Sequence, residues 1–194
     1  MNTLKYILLL YLTVSFFSSC TNSNAKVLLR TELGNITIEL YPEKAPTTVA
    51  NFLRYVQENR LDEAAFYRTV TLDNQPDNKI KIEVIQGGLY EDEHPQMLSP
   101  IQHETTQTTG ILHKDGVISM ARNEPGTATS EFFICVGDQP SLDFGGNRNS
   151  DGQGFAAFGK VINGMDVVHK IHQLQAQDQW LNPRISVIGV EMLE

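Results

Sequence analysis

The chain is 194 residues long, with 41% hydrophobic and 8% aromatic residues, which is ordinary for a soluble globular protein and enough for one domain with a sizeable core. Its 23 acidic and 15 basic side chains give a formal net charge of −8. That balance argues against nucleic acid as a partner, because binding to phosphate backbones rests on clustered Lys and Arg.

In chain order, the N-terminus differs from the rest. "MNTLKYILLLYLTVSFFSSC" has one early cation, Lys5, then an almost uncharged run from Tyr6 to Phe17 that ends in small residues and a cysteine. This is the layout of a secretory signal, and the run is too short for a comfortable bilayer span. "FSS" before Cys20 resembles a bacterial lipobox. The resemblance implies a lipoprotein signal peptide over 1–19, a lipid on Cys20, a polar tether to residue 26 and one domain over 27–194. A plain secretory signal or an uncleaved anchor are the alternatives. Cleavage would remove Lys5 and leave 14 − 23 = −9. The domain is then expected outside the cytoplasm, on the periplasmic or outer-surface side of a bacterial membrane, held by its lipid and not by surface charge. With Cys20 lipidated through its sulfur, no disulfide can form, and Cys135 reads as a buried thiol in a strand.

"VLLRTELGNITIELYPEKAP" predicts a hairpin, with Val27 to Thr31 and Ile36 to Leu40 alternating and "LGN" at the turn. "APTTVANFLRYVQEN" predicts a helix: Pro46 and the Thr47/Thr48 pair stand where an N-cap belongs, and Val49, Phe52, Leu53 and Val56 follow at 3.6-residue spacing. "AAFYRTV" reads as a strand, "TLDNQPDNK" as a loop and "IKIEVIQGG" as a strand closed by a Gly pair. The stretch from Leu89 to Gly116 lacks periodicity and reads as long loops. "VISMARN", "EFFICVG" and "FAAFGKVI" are strands, "NGMDVVHKIHQL" a second amphipathic helix, and "RISVIGVEMLE" a last strand. Many short strands with two helices fit a closed antiparallel barrel or a sandwich, and the pattern alone does not choose between them.

In the strand "SEFFICVG", Phe132, Ile134 and Val136 point one way, while Glu131, Phe133 and Cys135 point the other. One face is core, so a large ring beside a carboxylate on the opposite face asks for a reason. Signatures of other chemistries are missing: no G-x-S-x-G, no H-E-x-x-H, no phosphate-cradling glycine loop and no C-x-x-C. His169 and His172 lack an obvious third metal ligand and read as a solvated helix face; His103, Glu104 and His113 lie in a loop-rich region with equally little to unite them. What remains are strand ends suited to holding a peptide without cleaving it: Arg68, Gln86, Ala121, Arg122 and Phe133.

"GNITIELYPEKAPTTVANFL", "FYR", "IQGG", "GVISMAR", "SEFFI" and "FGKVINGMDVVHKI" occur in this order across essentially the whole domain. Together they resemble the cyclophilin-type peptidyl-prolyl isomerases of bacteria. The resemblance implies an all-β fold, a closed eight-stranded antiparallel barrel capped by two α-helices, in which Phe132 packs inside and Phe133 floors an external pocket for the proline ring. It implies catalysis of X-Pro isomerisation in proteins folding outside the cytoplasm, with Arg68 donating a hydrogen bond to the imide nitrogen. Gln86 and the main chain at Ala121 and Arg122 would hold the substrate backbone, and Leu142 and Phe155 would help grip the ring. Neither metal nor cofactor is implied. The partners would be unfolded or partly folded proteins and proline-containing peptides, and the protein is expected to be a monomer.

Departures from the family pattern fall around this pocket: Glu83 and Val84 replace an aromatic and a methionine, Ser141 an aromatic, Glu131 a glutamine, and Phe155 a His or Tyr. Glu131 would lie within reach of Arg68. Residues 71–81 form an insertion beside Arg68 that is expected to narrow or lengthen the groove, and "GGNRNSDGQG" is a further long loop. The competing reading is a prolyl-peptide binding or chaperone module with weak or no turnover. A lipid-tethered scaffold is a third.

Overall fold

The computed structural model describes residues 24–91 and 93–193, so the expected signal peptide and the expected lipid site at Cys20 lie outside the described residues. The strands are β1 (Lys26–Thr31), β2 (Gly34–Leu40), β3 (Ala65–Val70), β4 (Val84–Gly88), β5 (Val117–Met120), β6 (Phe132–Cys135), β7 (Ala156–Asn163), β8 (Ala176–Gln177) and β9 (Trp180–Leu193). The helices are α1 (Pro46–Gln57), the single turn α2 (Thr106–Thr109) and α3 (Met165–His172). Neighbours run β1-β2-β7-β5-β6-β4-β3-β9, and β9 pairs back onto β1, closing an eight-stranded antiparallel barrel that leaves no ring strand with a free edge. Closure decides between barrel and sandwich. β8 is a two-residue arm folded onto β9 and was not foreseen from the sequence.

Alternation fills the barrel as the pattern requires. Val27, Leu29, Ile36, Ile38 and Leu40 of β1 and β2 are fully buried, and the alternate residues Leu28, Arg30, Thr37 and Glu39 are not. The two long helices plug opposite ends. α1 follows the C-terminal end of β2, whereas α3 follows β7, whose Asn163 pairs with Thr37 near the start of β2. Val49, Phe52 and Val56 of α1, and Val167, Val168 and Ile171 of α3, join the same core.

The start of α1 corrects the expected cap. Its N-cap position is Ala45, with no side-chain bond, and the carboxylate of Glu104 supplies the cap from a distant loop. Glu104 accepts from the Thr47 amide at 3.1 Å, the Thr48 amide at 2.8 Å and the Thr48 hydroxyl at 2.7 Å. An anion at this end satisfies orphan amides and faces the positive end of the helix dipole. Glu104 thereby has a structural role.

Candidate active site

A β-bulge aims the central cation. In β3, Phe66 pairs with Gly87 and Arg68 with Gln86, so Tyr67 is an extra residue on its strand. Without it, strict alternation would turn Arg68 to the same side as Phe66, whose ring is fully buried in the barrel core. With it, Tyr67 and Arg68 both line an external cleft of about 700 Å³. Register then fixes what Arg68 faces: Arg68 stands opposite Gln86, and Gln86 opposite Phe133, one row across β3, β4 and β6. Strands lie roughly 4.8 Å apart, so the guanidinium stem and the Phe133 ring start about 10 Å from each other, a gap a peptide can bridge.

The floor is a second apolar cluster, separate from the barrel core: Val70, Ile82, Val84, Phe133, Cys135 and Leu142, with Ala121 and Phe155 against it. Phe155 meets Phe133 edge-on, centroids 5.3 Å apart at 89°. From beneath, His113 stacks on Phe133 at 5.9 Å and 16°. That imidazole is fixed at both nitrogens, by Asp143 at 2.8 Å and by the Ser119 hydroxyl at 2.9 Å. Ser119 is fully buried, so this Ser-His-Asp line is a prop under the pocket and has no access to a substrate. Burial pushes the Cys135 thiol up, which keeps it neutral and inert in this floor.

Arg68 is held by neutral groups. Its Nε and Nη2 donate to Oε1 of Gln179 at 3.0 and 2.6 Å, and its Nη1 donates to Oε1 of Gln86 at 2.8 Å. Burial pulls this guanidinium below its ordinary pKa, yet arginine remains charged at any working pH. Three of its five N–H donors are committed to amides, and two remain. A carboxylate in place of either amide would have neutralised the charge the cleft presents.

Glu131 does not pair with Arg68; it reaches it through a relay. Oε2 of Glu131 accepts the Tyr67 hydroxyl at 2.5 Å, Tyr67 accepts Nε2 of Gln86 at 2.6 Å, and Gln86 then turns its oxygen to Arg68. The direction is dictated by chemistry. A carboxylate only accepts, so the phenol proton is committed to it and the phenol oxygen can only accept from Gln86. Desolvation, then the charge of Glu131, push the Tyr67 phenol far above its usual value. Oε1 of Glu131 is also occupied, by the amides of Leu89 and Tyr90 and the Ser130 hydroxyl. Glu131 is therefore both the end of the relay and the anchor of the chain after β4.

Every residue expected from the sequence to touch substrate lines this one cleft: Arg68, Val84, Gln86, Ala121, Arg122, Glu131, Phe133, Leu142 and Phe155. The side chain of Arg122 is only 1% exposed and is spent on the fold. It forks onto Asp151 at 2.7 and 3.0 Å, donates to the Gly154 carbonyl, and lies 5.3 Å over the Phe155 ring, so it locks the loop that carries Phe155. Glu83 and Ser141 are not among the lining residues; the amide of Val136 binds the Glu83 carbonyl instead.

Sequence reasoning missed further contributors to this site, among them Tyr67, Tyr90, Trp180 and Gln179. Tyr67 and Tyr90 line it, as does Trp180, 57% exposed and stacked on Tyr67 at 5.7 Å and 19°. Gln179 lies in the two-residue β8–β9 loop, where Asp178 and Gln179 have φ of 49° and 77°. A lone tryptophan in the polar run "QAQDQWLNP" was the available signal; the bulge and the turn had none. The inserted segment holds this turn in place: the Asn74 carbonyl accepts Nε2 of Gln179 at 2.8 Å, and buried Gln75 staples the segment through Thr71 and Ile82. Among the described residues no group of three or more His, Cys, Asp or Glu side chains is placed to hold a metal ion.

The family model "Cyclophilin type peptidyl-prolyl cis-trans isomerase/CLD" matches residues 26–192. Among similar proteins, the "Peptidyl-prolyl cis-trans isomerase" of Acinetobacter baylyi is 38% identical over 150 residues, covering 77% of this chain and 72% of that one. The "Peptidyl-prolyl cis-trans isomerase B" of Escherichia coli is 36% identical over 148 residues, covering 75% and 82%. A crystal structure of a Cryptosporidium parvum cyclophilin type peptidyl-prolyl cis-trans isomerase superposes with a TM-score of 0.70 at 18% identity, covering 88% of this chain and 98% of that one. A second structure of that protein, obtained in the presence of the dipeptide ala-pro, gives 0.69 at 19% identity, covering 87% and 99%. The barrel, the row of Arg68, Gln86 and Phe133 across it, and these matches lead to one conclusion: the chain belongs to the cyclophilin family and is a peptidyl-prolyl cis-trans isomerase.

Proposed function

We propose that Arg68 carries the catalytic step and that the enzyme acts on X-Pro bonds of proteins folding outside the cytoplasm. Rotation about an X-Pro bond is slow because nitrogen shares its lone pair with the carbonyl, which raises a barrier of roughly 18–20 kcal/mol. In the twisted transition state the pair returns to nitrogen. A guanidinium N–H aimed at that nitrogen binds the twisted state more strongly than either planar state, which is the condition for acceleration. No proton changes hands. The apolar floor at Phe133 and Leu142 holds the proline ring while the acyl side turns, and Gln86 lies between the two grips.

The observation that carries this reading is the row Arg68–Gln86–Phe133, with the cation fixed by amides and left unneutralised beside an apolar recess. The folding context rests on the first twenty residues, whose layout suits export and a lipid on Cys20. Isomerisation kinetics of an X-Pro peptide by exchange NMR, for the protein and for Arg68→Ala, test the first part. Loss of most turnover with peptide binding retained is expected; equal rates would refute the assignment, and negligible rates in both would favour a binding module. Incorporation of a labelled fatty acid that disappears in Cys20→Ala is expected for the lipid anchor.

A further inference from the structure

Two guanidinium groups line the cleft with no carboxylate partner among the described residues. Arg68 is bonded to the amides of Gln86 and Gln179, and Arg148 donates from Nη1 to the Ile80 carbonyl at 2.5 Å. Of the other arginines, Arg30, Arg54, Arg60 and the cleft-lining Arg122 each contact an acid, and Arg184 lies over the Tyr90 ring. Two of the three arginines without an acidic partner therefore line the binding cleft, in a chain with 23 acids and 15 bases. Burial and then the charge of Arg68 pull the Arg148 guanidinium below its ordinary pKa, so the two cations are close enough to repel. The acids on the cleft do not relieve this: Glu131 is saturated by its four donors, and Glu91 has no ion pair and is exposed.

Arg148 also sits where the two unusual segments meet. Its amide donates to the Ser141 carbonyl at 3.1 Å, which ties its loop to residue 141, and its guanidinium reaches the inserted segment at Ile80. The two segments therefore bring a cation, not an aromatic ring, to this side of the proline pocket.

We infer that Arg148 is a specificity residue and that the preferred substrate carries a carboxylate side chain, Glu or Asp, on a residue flanking the proline. This rests on the placement of the X-Pro bond between Arg68 and Phe133. A carboxylate there supplies the missing counter-charge in a partly water-excluded site, where charge-assisted hydrogen bonds exceed neutral ones.

The test uses acetylated, amidated peptides in which the side chain is the sole anion, with Glu, Gln or Lys just before the proline in one set and just after it in another. Exchange NMR gives kcat/KM for the protein, Arg148→Gln and Arg148→Lys. Glu is expected to exceed Gln by about tenfold in at least one set, Lys to fall below Gln, and the advantage to shrink at about 0.5 M salt. Arg148→Gln should bring the Glu:Gln ratio to about one, while Arg148→Lys keeps most of it. A wild-type ratio within about twofold of one in both sets, or a preference that survives Arg148→Gln, overturns the inference. If Gln peptides are not isomerised at all, it is the Arg68 reading that fails. The charge preference is then decided by binding, read from the fluorescence of Trp180, the single tryptophan, which lines the cleft.

Discussion

The barrel core and the pocket floor are both apolar and both buried, and adjacent residues of one strand serve them: Phe132 the core, Phe133 the floor. They are held in different ways. Phe132 is packed by Phe52 and Phe66, edge-on at 5.8 Å each, from a helix and a strand whose positions the closed ladder fixes. Phe133 is covered by Phe155 and Leu142 from loops that polar links hold down: Arg122 to Asp151, Arg148 to Ile80, His113 to Asp143. The difference teaches that the apolar cluster outside the barrel is positioned by side-chain links between loops, whereas the core is positioned by the closed backbone ladder.

Substitutions can break or sharpen this contrast. The largest effect is expected at Arg68: Arg68→Ala should lower kcat/KM by about 10²–10³, the usual loss for one transition-state donor, while chemical denaturation shifts by less than about 1 kcal/mol. A collapse of stability instead would place Arg68 with the core. Next, Phe132→Ala should destabilise by about 3–5 kcal/mol, as for a large buried ring. Phe133→Ala should cost less stability but weaken proline-peptide binding, in fluorescence titration, by about tenfold, the worth of lost ring burial at roughly 25 cal/mol per Å². Equal stability losses would erase the distinction.

Glu131→Gln is expected to lower turnover by about tenfold with a smaller change in melting temperature. A glutamine that keeps its oxygen toward Leu89, Tyr90 and Ser130 presents NH₂ to Tyr67, reverses the relay and turns the Gln86 amide nitrogen against Arg68. Unchanged turnover would show that the relay does not aim the guanidinium. The smallest and most discriminating change is Gln179→Gly. Glycine relieves the positive φ of 77° and should stabilise the turn by up to about 1 kcal/mol, whereas loss of two bonds to Arg68 should reduce kcat several-fold, roughly the worth of one such bond. Stability and activity moving in opposite directions is the signature to look for in paired denaturation and exchange measurements.

The hairpin, both long helices and the inside-outside sense of β6 were legible because each rests on local periodicity: 2 for Val27 to Leu40 and Phe132 to Val136, 3.6 for Val49 to Val56. The nine residues assigned to the cleft were legible through family motifs and fall together in it. The cap of α1 was misread because its acid, Glu104, lies 56 residues from Thr48. Arg148, Gln179 and the Glu131 relay were illegible for the same reason: their partners lie 68, 111 and 64 residues away.

By itself the sequence determined which residues face apolar and which face polar surroundings, since strand and helix periods are properties of the backbone and need no partner. It also carried the ordered motifs by which the family is read. Tertiary structure alone decided that the ring closes, that Tyr67 bulges and so turns Arg68 outward, and that neutral amides rather than carboxylates hold it. Those outcomes depend on register and on contacts between distant segments, where a shift of one residue exchanges the inner and outer faces of a strand.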